Sequence, residues 1–106
     1  VRQAGRRRSR RLASVHRAEI YTGDGRLLAR GRTGNISECG VFVVAKMPHQ
    51  PSEGRKVIVE LHLPEMSSRA ARHPSTRPVQ FRARVVRTIT LGQLVGVGLE
   101  LLESLS

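Results

Sequence analysis

Val57-Ile58-Val59-Glu60-Leu61-His62-Leu63 is the stretch that indicates the fold most clearly. Every second residue from Val57 to Leu63 is a large aliphatic one, and Ile58, Glu60 and His62 occupy the positions between them. Successive side chains of a β-strand point to opposite faces of the sheet, so this alternation predicts a strand with one buried face. The β-branched valines and isoleucine also favour a strand.

Five more strand-like segments lie on either side of this stretch, and glycine or proline separates them. Gly23-Asp24-Gly25-Arg26 is a hairpin signal, and residues 46–56 contain two prolines and a glycine, which indicates a loop. Gly96 and Gly98, inside the last segment, indicate that another chain segment or a ligand approaches closely there. We predict the five strands at Val15–Thr22, Leu27–Thr33, Val41–Ala45, Val79–Ile89 and Leu94–Leu101.

The six strands predict an all-β domain, either a barrel or a compact sandwich, because no strongly amphipathic helix interrupts them. Pro64–Pro78 is polar and rich in proline, so we predict a long loop there with one helical turn at Ser67–Arg72. The tail Glu100–Ser106 is where a short C-terminal helix would begin. A chain of 106 residues forms one domain with a modest core.

The basic residues are concentrated at the N-terminus. The formal net charge is +11, 17 of the 19 basic residues are arginine, and six of those arginines lie within residues 1–11. Arginine binds phosphate through two parallel hydrogen bonds and stacks on flat rings, which lysine does not do. Residues 1–14 are too charged to pack, so we expect a flexible basic arm ahead of a barrel domain at residues 15–106. Taken alone, this arm could equally be a solvated tail that binds any polyanion weakly.

A second polar element, Asn35-Ile36-Ser37-Glu38-Cys39-Gly40, lies between two predicted strands. Asn35 offers an acceptor and two donors, and the Ser37 hydroxyl donates or accepts. Gly40 allows a positive φ or close packing of the backbone. These groups can read the edge of a purine while the arginines hold its phosphates. For these residues alone, a turn that merely joins two strands is the alternative.

Together the two elements resemble the PilZ domain, a bacterial receptor module for cyclic di-GMP whose signatures are R-x-x-x-R and, one hairpin later, D/N-x-S-x-x-G. Arg7–Arg11 matches the first signature, with Arg6–Arg10 as an alternative frame, and Asn35–Gly40 matches the second. The resemblance implies a six-stranded antiparallel β-barrel, usually followed by a C-terminal helix, with the arm wrapped over the ligand. Asn35 replaces the commoner Asp, so we expect weaker binding. The ligand-binding residues that the resemblance implies are Arg6, Arg7, Arg8, Arg11, Asn35, Ser37 and Gly40.

Neither catalysis nor metal binding is predicted. The eight acidic residues are scattered and the four histidines form no ligand pattern with Cys39, so we expect no catalytic residue, no metal and no cofactor other than the ligand. A single cysteine forms no internal disulfide and indicates the reduced cytoplasm. The longest apolar run, Val41–Ala45, is far too short to span a membrane. Because the chain opens with Val1, we expect a domain taken from a longer protein.

We therefore expect a cyclic di-GMP receptor whose arm orders over the ligand and so transmits a signal to an attached domain or a protein partner. Two alternatives stay open. The charge also suits a small β-barrel that binds nucleic acid, at least weakly, although the chain has only three aromatic residues for base stacking. The other alternative is a PilZ-like interaction module that binds no nucleotide and acts through a protein partner.

Overall fold

Alternating side chains give each strand one apolar face, and six such faces close into a barrel. The computed structural model describes residues 15–64 and 76–106. Its strands are β1 (Arg17–Thr22), β2 (Leu27–Ile36), β3 (Gly40–Ala45), β4 (Lys56–Pro64), β5 (Thr76–Leu91) and β6 (Leu94–Ser104). Neighbouring strands are antiparallel and follow the closed order β1-β2-β3-β6-β5-β4, in which β4 pairs with β1 again. The six-stranded antiparallel barrel expected from the sequence is confirmed.

The inside of the barrel is filled by aliphatic side chains. Val43, Val59 and Val97, from three different strands, are 0% exposed. Ile20 and Leu61 are among the bulkiest side chains that are fully buried. Burial of each side chain of this kind stabilises the fold by about 1.5–3 kcal/mol. All three aromatic side chains are only partly buried, so the core consists of Val, Leu, Ile and Ala.

A β-bulge lengthens β2 beyond its predicted end. The pairing of β2 with β3 passes from Thr33 to Asn35, which leaves Gly34 as the extra residue. The strand then continues to Ile36, whose side chain is buried. The loop predicted between these strands at Gly34–Gly40 is therefore wrong at both ends, because a bulge absorbs Gly34 without ending β2 and β3 already begins at Gly40. The irregular part of the connection is residues 37–39.

A second β-bulge lies in β5. The pairing of β5 with β6 passes from Val85 to Arg87, which leaves Val86 as the extra residue. Val85 points into the core and is 1% exposed, whereas Val86 is 48% exposed. A bulge bends its strand and turns the side chains that follow it in a new direction. The first residue after this bulge is Arg87.

Two predicted boundaries near the end of the chain are also wrong. Of the loop expected over Pro64–Pro78, Pro64 belongs to β4 and residues 76–78 belong to β5, whose first residues pair with the end of β4; residues 65–75 lie outside the described residues. The expected C-terminal helix is absent from the described residues, since β6 continues to Ser104 and pairs with β5 up to that residue. The long β5 supplies hydrogen-bond partners for this backbone, and the strand continues for that reason.

Two predictions fall on parts of the chain that the structure does not describe. The helical turn at Ser67–Arg72 and the arm at residues 1–14 both lie outside the described residues. Within residues 15–64 and 76–106, no helix has the length and apolar character needed to cross a membrane.

Candidate functional site

The Asn35–Gly40 segment ends β2, turns through residues 37–39 and begins β3, and its turn is closed by Ser37. The backbone N–H of Ser37 donates to the carbonyl oxygen of Gly40 at 2.9 Å, and Ser37 Oγ lies 3.4 Å from the same oxygen. The carbonyl oxygen of Cys39 accepts a hydrogen bond from the N–H of Leu101 at 3.0 Å, which ties the turn to β6. These contacts fix the shape of the turn through its backbone.

Gly40 is required by close packing and not by an unusual backbone angle. A Cβ added at Gly40 would lie 3.1 Å from the carbonyl oxygen of Leu99 on β6, which is tighter than an ordinary van der Waals contact. Positive φ angles occur in the described chain at Gly25, Gly54 and Gly92, and Gly40 has none. Of the two roles predicted for Gly40, the structure shows the close approach of backbone.

Four residues form one row across β2, β3, β6 and β5, and we call them the transverse row. Asn35 pairs with Phe42, and Phe42 pairs with Gly98. Gly98 in turn pairs with Arg87. The residue at each end of the row comes directly after a β-bulge, Asn35 after Gly34 and Arg87 after Val86. The row therefore has an amide at one end, a guanidinium at the other, and a ring beside a bare glycine between them.

The two glycines of β6 make room for Phe42 and Arg87. A Cβ added at Gly96 would collide with Cζ of Phe42, and one added at Gly98 would lie 3.2 Å from Cγ of Arg87. Arg87 Cζ is 5.9 Å from the centre of the Phe42 ring, a separation at which a guanidinium and an aromatic ring attract each other. The close approach that the sequence predicts at Gly96 and Gly98 is thus made by two side chains of neighbouring strands.

A shallow cavity of about 240 Å³ opens over the transverse row, and we call it the Asn35 cavity. Asn35 and Arg87 are exposed, so both can meet a ligand. Pockets that enclose whole small molecules measure about 300–1,000 Å³, so this one suits a single flat ring system with polar edges. Its lining residues are Asn35, Ser37, Gly40, Val41, Phe42, Val86, Arg87, Gly98 and Leu99.

The structure brings together part of the predicted site. Asn35, Ser37 and Gly40 line one cavity. The four predicted arginines, Arg6, Arg7, Arg8 and Arg11, lie outside the described residues. Sequence reasoning missed Phe42 and Arg87, which face the same cavity. Gly96 and Gly98 were the signals for Phe42 and Arg87, because a glycine inside a strand indicated a close neighbour without saying which one.

Comparison with known proteins gives one family and a set of similar folds. The chain matches the family model of the PilZ domain over residues 5–106. Its structure is similar to that of the inhibitor of motility MotI/DgrA of Bacillus subtilis, with 23% sequence identity and a TM-score of 0.71 over 95% of this chain and 44% of that chain. It is also similar to the PilZ domain of YcgR from Escherichia coli, solved with c-di-GMP, with 18% identity and a TM-score of 0.57 over 92% of this chain and 78% of that chain. The chain thus spans less than half the length of the Bacillus protein. No curated protein matches it by sequence.

Proposed function

Since this chain belongs to the PilZ domain family, we propose that it is a receptor for cyclic di-GMP and that the nucleotide binds at the Asn35 cavity. One observation carries the proposal: the three motif residues Asn35, Ser37 and Gly40 line a single cavity together with Arg87. The similar PilZ domain of YcgR was solved with c-di-GMP. The proposed activity is binding and not catalysis.

In this proposal one guanine base lies over the transverse row. The Asn35 amide has both donors and an acceptor for the edge of the base. Gly98 carries no side chain, so the stem of Arg87 can lie against the backbone of β6, beneath the position proposed for the base. The Arg87 guanidinium stacks on the base or binds the neighbouring phosphate, and the Phe42 ring beneath it restrains its position. The Phe42 ring and the polar groups at the two ends of the transverse row would thus orient a flat, anionic nucleotide.

We further propose that Arg6, Arg7, Arg8 and Arg11 complete the site. The cavity of about 240 Å³ is too small to enclose a dinucleotide, so the phosphates need partners from elsewhere in the chain. Arg7 and Arg11 would bind the phosphates and stack on guanine, with Arg6 and Arg8 assisting. Fixing each residue of the arm costs about 1–2 kcal/mol of conformational entropy, so the arm would close only with ligand present. Its closure would change the surface offered to an attached domain or a protein partner in the cytoplasm.

Calorimetry with three ligands tests the proposal against its two alternatives. Cyclic di-GMP, GTP and a short oligonucleotide are titrated separately into the same protein at the same salt concentration. We expect cyclic di-GMP to bind most tightly. Tightest binding of the oligonucleotide would identify a nucleic-acid binder, and the absence of heat with all three would identify an interaction module.

Substitutions then separate a specific site from general charge attraction. We expect Arg7→Ala, Arg11→Ala and Arg87→Ala each to weaken cyclic di-GMP binding by about tenfold or more, because each removes a charged hydrogen bond or a stack. Arg69→Ala and Arg26→Ala each remove one arginine that belongs to neither sequence motif, and they are the controls. Equal losses in all five variants would contradict the proposed site.

A further inference from the structure

Two glutamate side chains face each other on the outer side of β1 and β4. Glu19 and Glu60 are direct Cα partners across these strands. Their side chains are only 14% and 17% exposed although they point away from the core. Like charges directly opposite each other destabilise a pair of strands, and burial strengthens the repulsion. The Arg30 guanidinium pairs with Glu19, with 3.3 Å between Nε and Oε2, and a cation between the two carboxylates would offset the remaining repulsion.

His62, two residues after Glu60 on the same face, points a ring nitrogen into this gap. Its Nε2 is 3.2 Å from Oε2 of Glu60 and 3.7 Å from Oε1 of Glu19. This nitrogen is sealed from solvent and forms no geometrically acceptable hydrogen bond within the described part of the chain. Burial of a nitrogen without a well-formed hydrogen bond is unfavourable. A bound metal ion that accepts the lone pair of this nitrogen would give it a partner.

Both carboxylates are held in place by hydrogen-bond donors behind them. The Tyr21 hydroxyl donates to Oε1 of Glu19 at 2.9 Å, and Nε2 of Gln80 donates to Oε1 of Glu60 at 2.8 Å. Donors that orient the ligands in this way are typical of the surroundings of bound metals.

We propose that Glu19, Glu60 and His62 bind a divalent transition-metal ion of the Zn²⁺ type. One ligand atom from each residue lies within 4.8 Å of the other two. Zn²⁺ takes imidazole nitrogen and carboxylate oxygen at about 2.0–2.2 Å, so a small inward movement of the side chains completes the coordination. Three protein ligands leave a fourth position for water or for a group from a partner. The histidine determines which metal we expect, because an imidazole nitrogen is a better ligand for Zn²⁺ than for Mg²⁺ or Ca²⁺.

This site is separate from the Asn35 cavity. Its three ligands lie on β1 and β4, whereas the cavity is built from β2, β3, β5 and β6. The pairing of β4 with β1 closes the barrel. An ion shared by Glu19 and Glu60 would therefore tie the two strands together at the closing seam.

Zinc titration of the full chain tests this proposal. Protein freed of metal with a chelator is titrated with Zn²⁺ by calorimetry, and thermal unfolding is recorded at each ratio. We expect one equivalent of zinc to bind and to raise the melting temperature, because an ion that binds only the folded state stabilises it. His62→Gln and Glu60→Gln should each weaken zinc binding by about tenfold or more.

Matched controls exclude adventitious binding. His49→Gln and Cys39→Ser remove an exposed histidine and the exposed thiol, and both should bind zinc as the unchanged chain does. If His62→Gln is not folded by circular dichroism, Glu60→Gln, which keeps the shape of the side chain, decides the question. The proposal is overturned if no zinc binds, if Glu60→Gln binds it with unchanged affinity, or if His49→Gln or Cys39→Ser abolishes binding.

Discussion

Two glycines of β6 decide the shape of the cavity floor. Gly96 lies beneath the Phe42 ring, and Gly98 lies beneath the stem of Arg87. A Cβ at Gly96 would force the Phe42 ring to move, and a Cβ at Gly98 would press on the stem of Arg87. The polar motif of the Asn35–Gly40 segment therefore depends on residues about 60 positions further along the chain.

We expect Gly96→Ala to lower the free energy of unfolding by about 1–3 kcal/mol, because the added methyl group collides with the Phe42 ring and forces it to move. Gly23→Ala is the matched control, since a Cβ at Gly23 would have no atom within 4 Å. Urea denaturation of both variants gives the comparison. Equal stability of the two would mean that the ring is not held against Gly96.

The strands show which features a sequence pattern can reveal. The alternation of side chains along a strand such as β4 indicates one buried face, and it can be read from the residues of that strand alone. All six strands were therefore predicted. The predicted ends of the strands were less accurate where a strand continues because a neighbouring strand pairs with it. β2 passes through a bulge at Gly34, and β6 extends to Ser104 beside the long β5. Bulges and pairing partners depend on distant residues, and they leave no local pattern.

The same limit applies to the candidate site. Asn35, Ser37 and Gly40 lie in one short motif and were predicted. Arg87 joins them only through the register of three strand pairs, which no motif encodes. Glu19 and His62, separated by 43 residues, likewise meet only because β4 pairs with β1.

The β1–β4 pair should make stability depend on pH. The hydrogen bond from Tyr21, and then the charges of His62 and Arg30, lower the pKa of Glu19 from its ordinary value of 4.5. The folded state thus holds the Glu19 proton less tightly than the unfolded state does. The resulting stabilisation is complete above pH 4.5 and is lost as the pH falls through the lowered pKa.

We therefore expect the free energy of unfolding to fall below pH 4.5, and to fall less steeply in Tyr21→Phe, which lacks the donor to Glu19. Urea denaturation from pH 3 to pH 7, with a chelator present to keep metals out, measures both curves. The carboxyl carbon signal of Glu19 reports its titration directly. Parallel curves for the two proteins would show that the Tyr21 hydroxyl does not control Glu19.

The whole molecule is stabilised by one aliphatic core inside a closed ring of strands. β1 pairs with β2 on one side and with β4 on the other, so each strand has two neighbours and the barrel has no open edge. The first and fourth strands meet only when the barrel is complete. Ile20 on β1 and Leu61 on β4 are fully buried beside this seam.

We expect Leu61→Ala to lower the free energy of unfolding by about 2–5 kcal/mol, because it leaves a cavity where the surroundings cannot collapse. Leu102→Ala, at a residue that is 38% exposed, should cost less than about 1 kcal/mol. Thermal and urea unfolding of the two variants measure the difference. Similar losses would contradict the position of the core.

The central claim is that the transverse row and the Asn35–Gly40 segment receive cyclic di-GMP. A ¹⁵N-resolved NMR titration tests it most directly, since each backbone amide reports on its own surroundings. We predict that saturating cyclic di-GMP changes the chemical shifts of the backbone amide signals of Asn35, Ser37, Gly40, Phe42, Arg87 and Gly98. The amide signals of Glu19 on β1 and Glu60 on β4 should not change. Unchanged amides along the transverse row, or shifts centred on β1 and β4, would contradict the account.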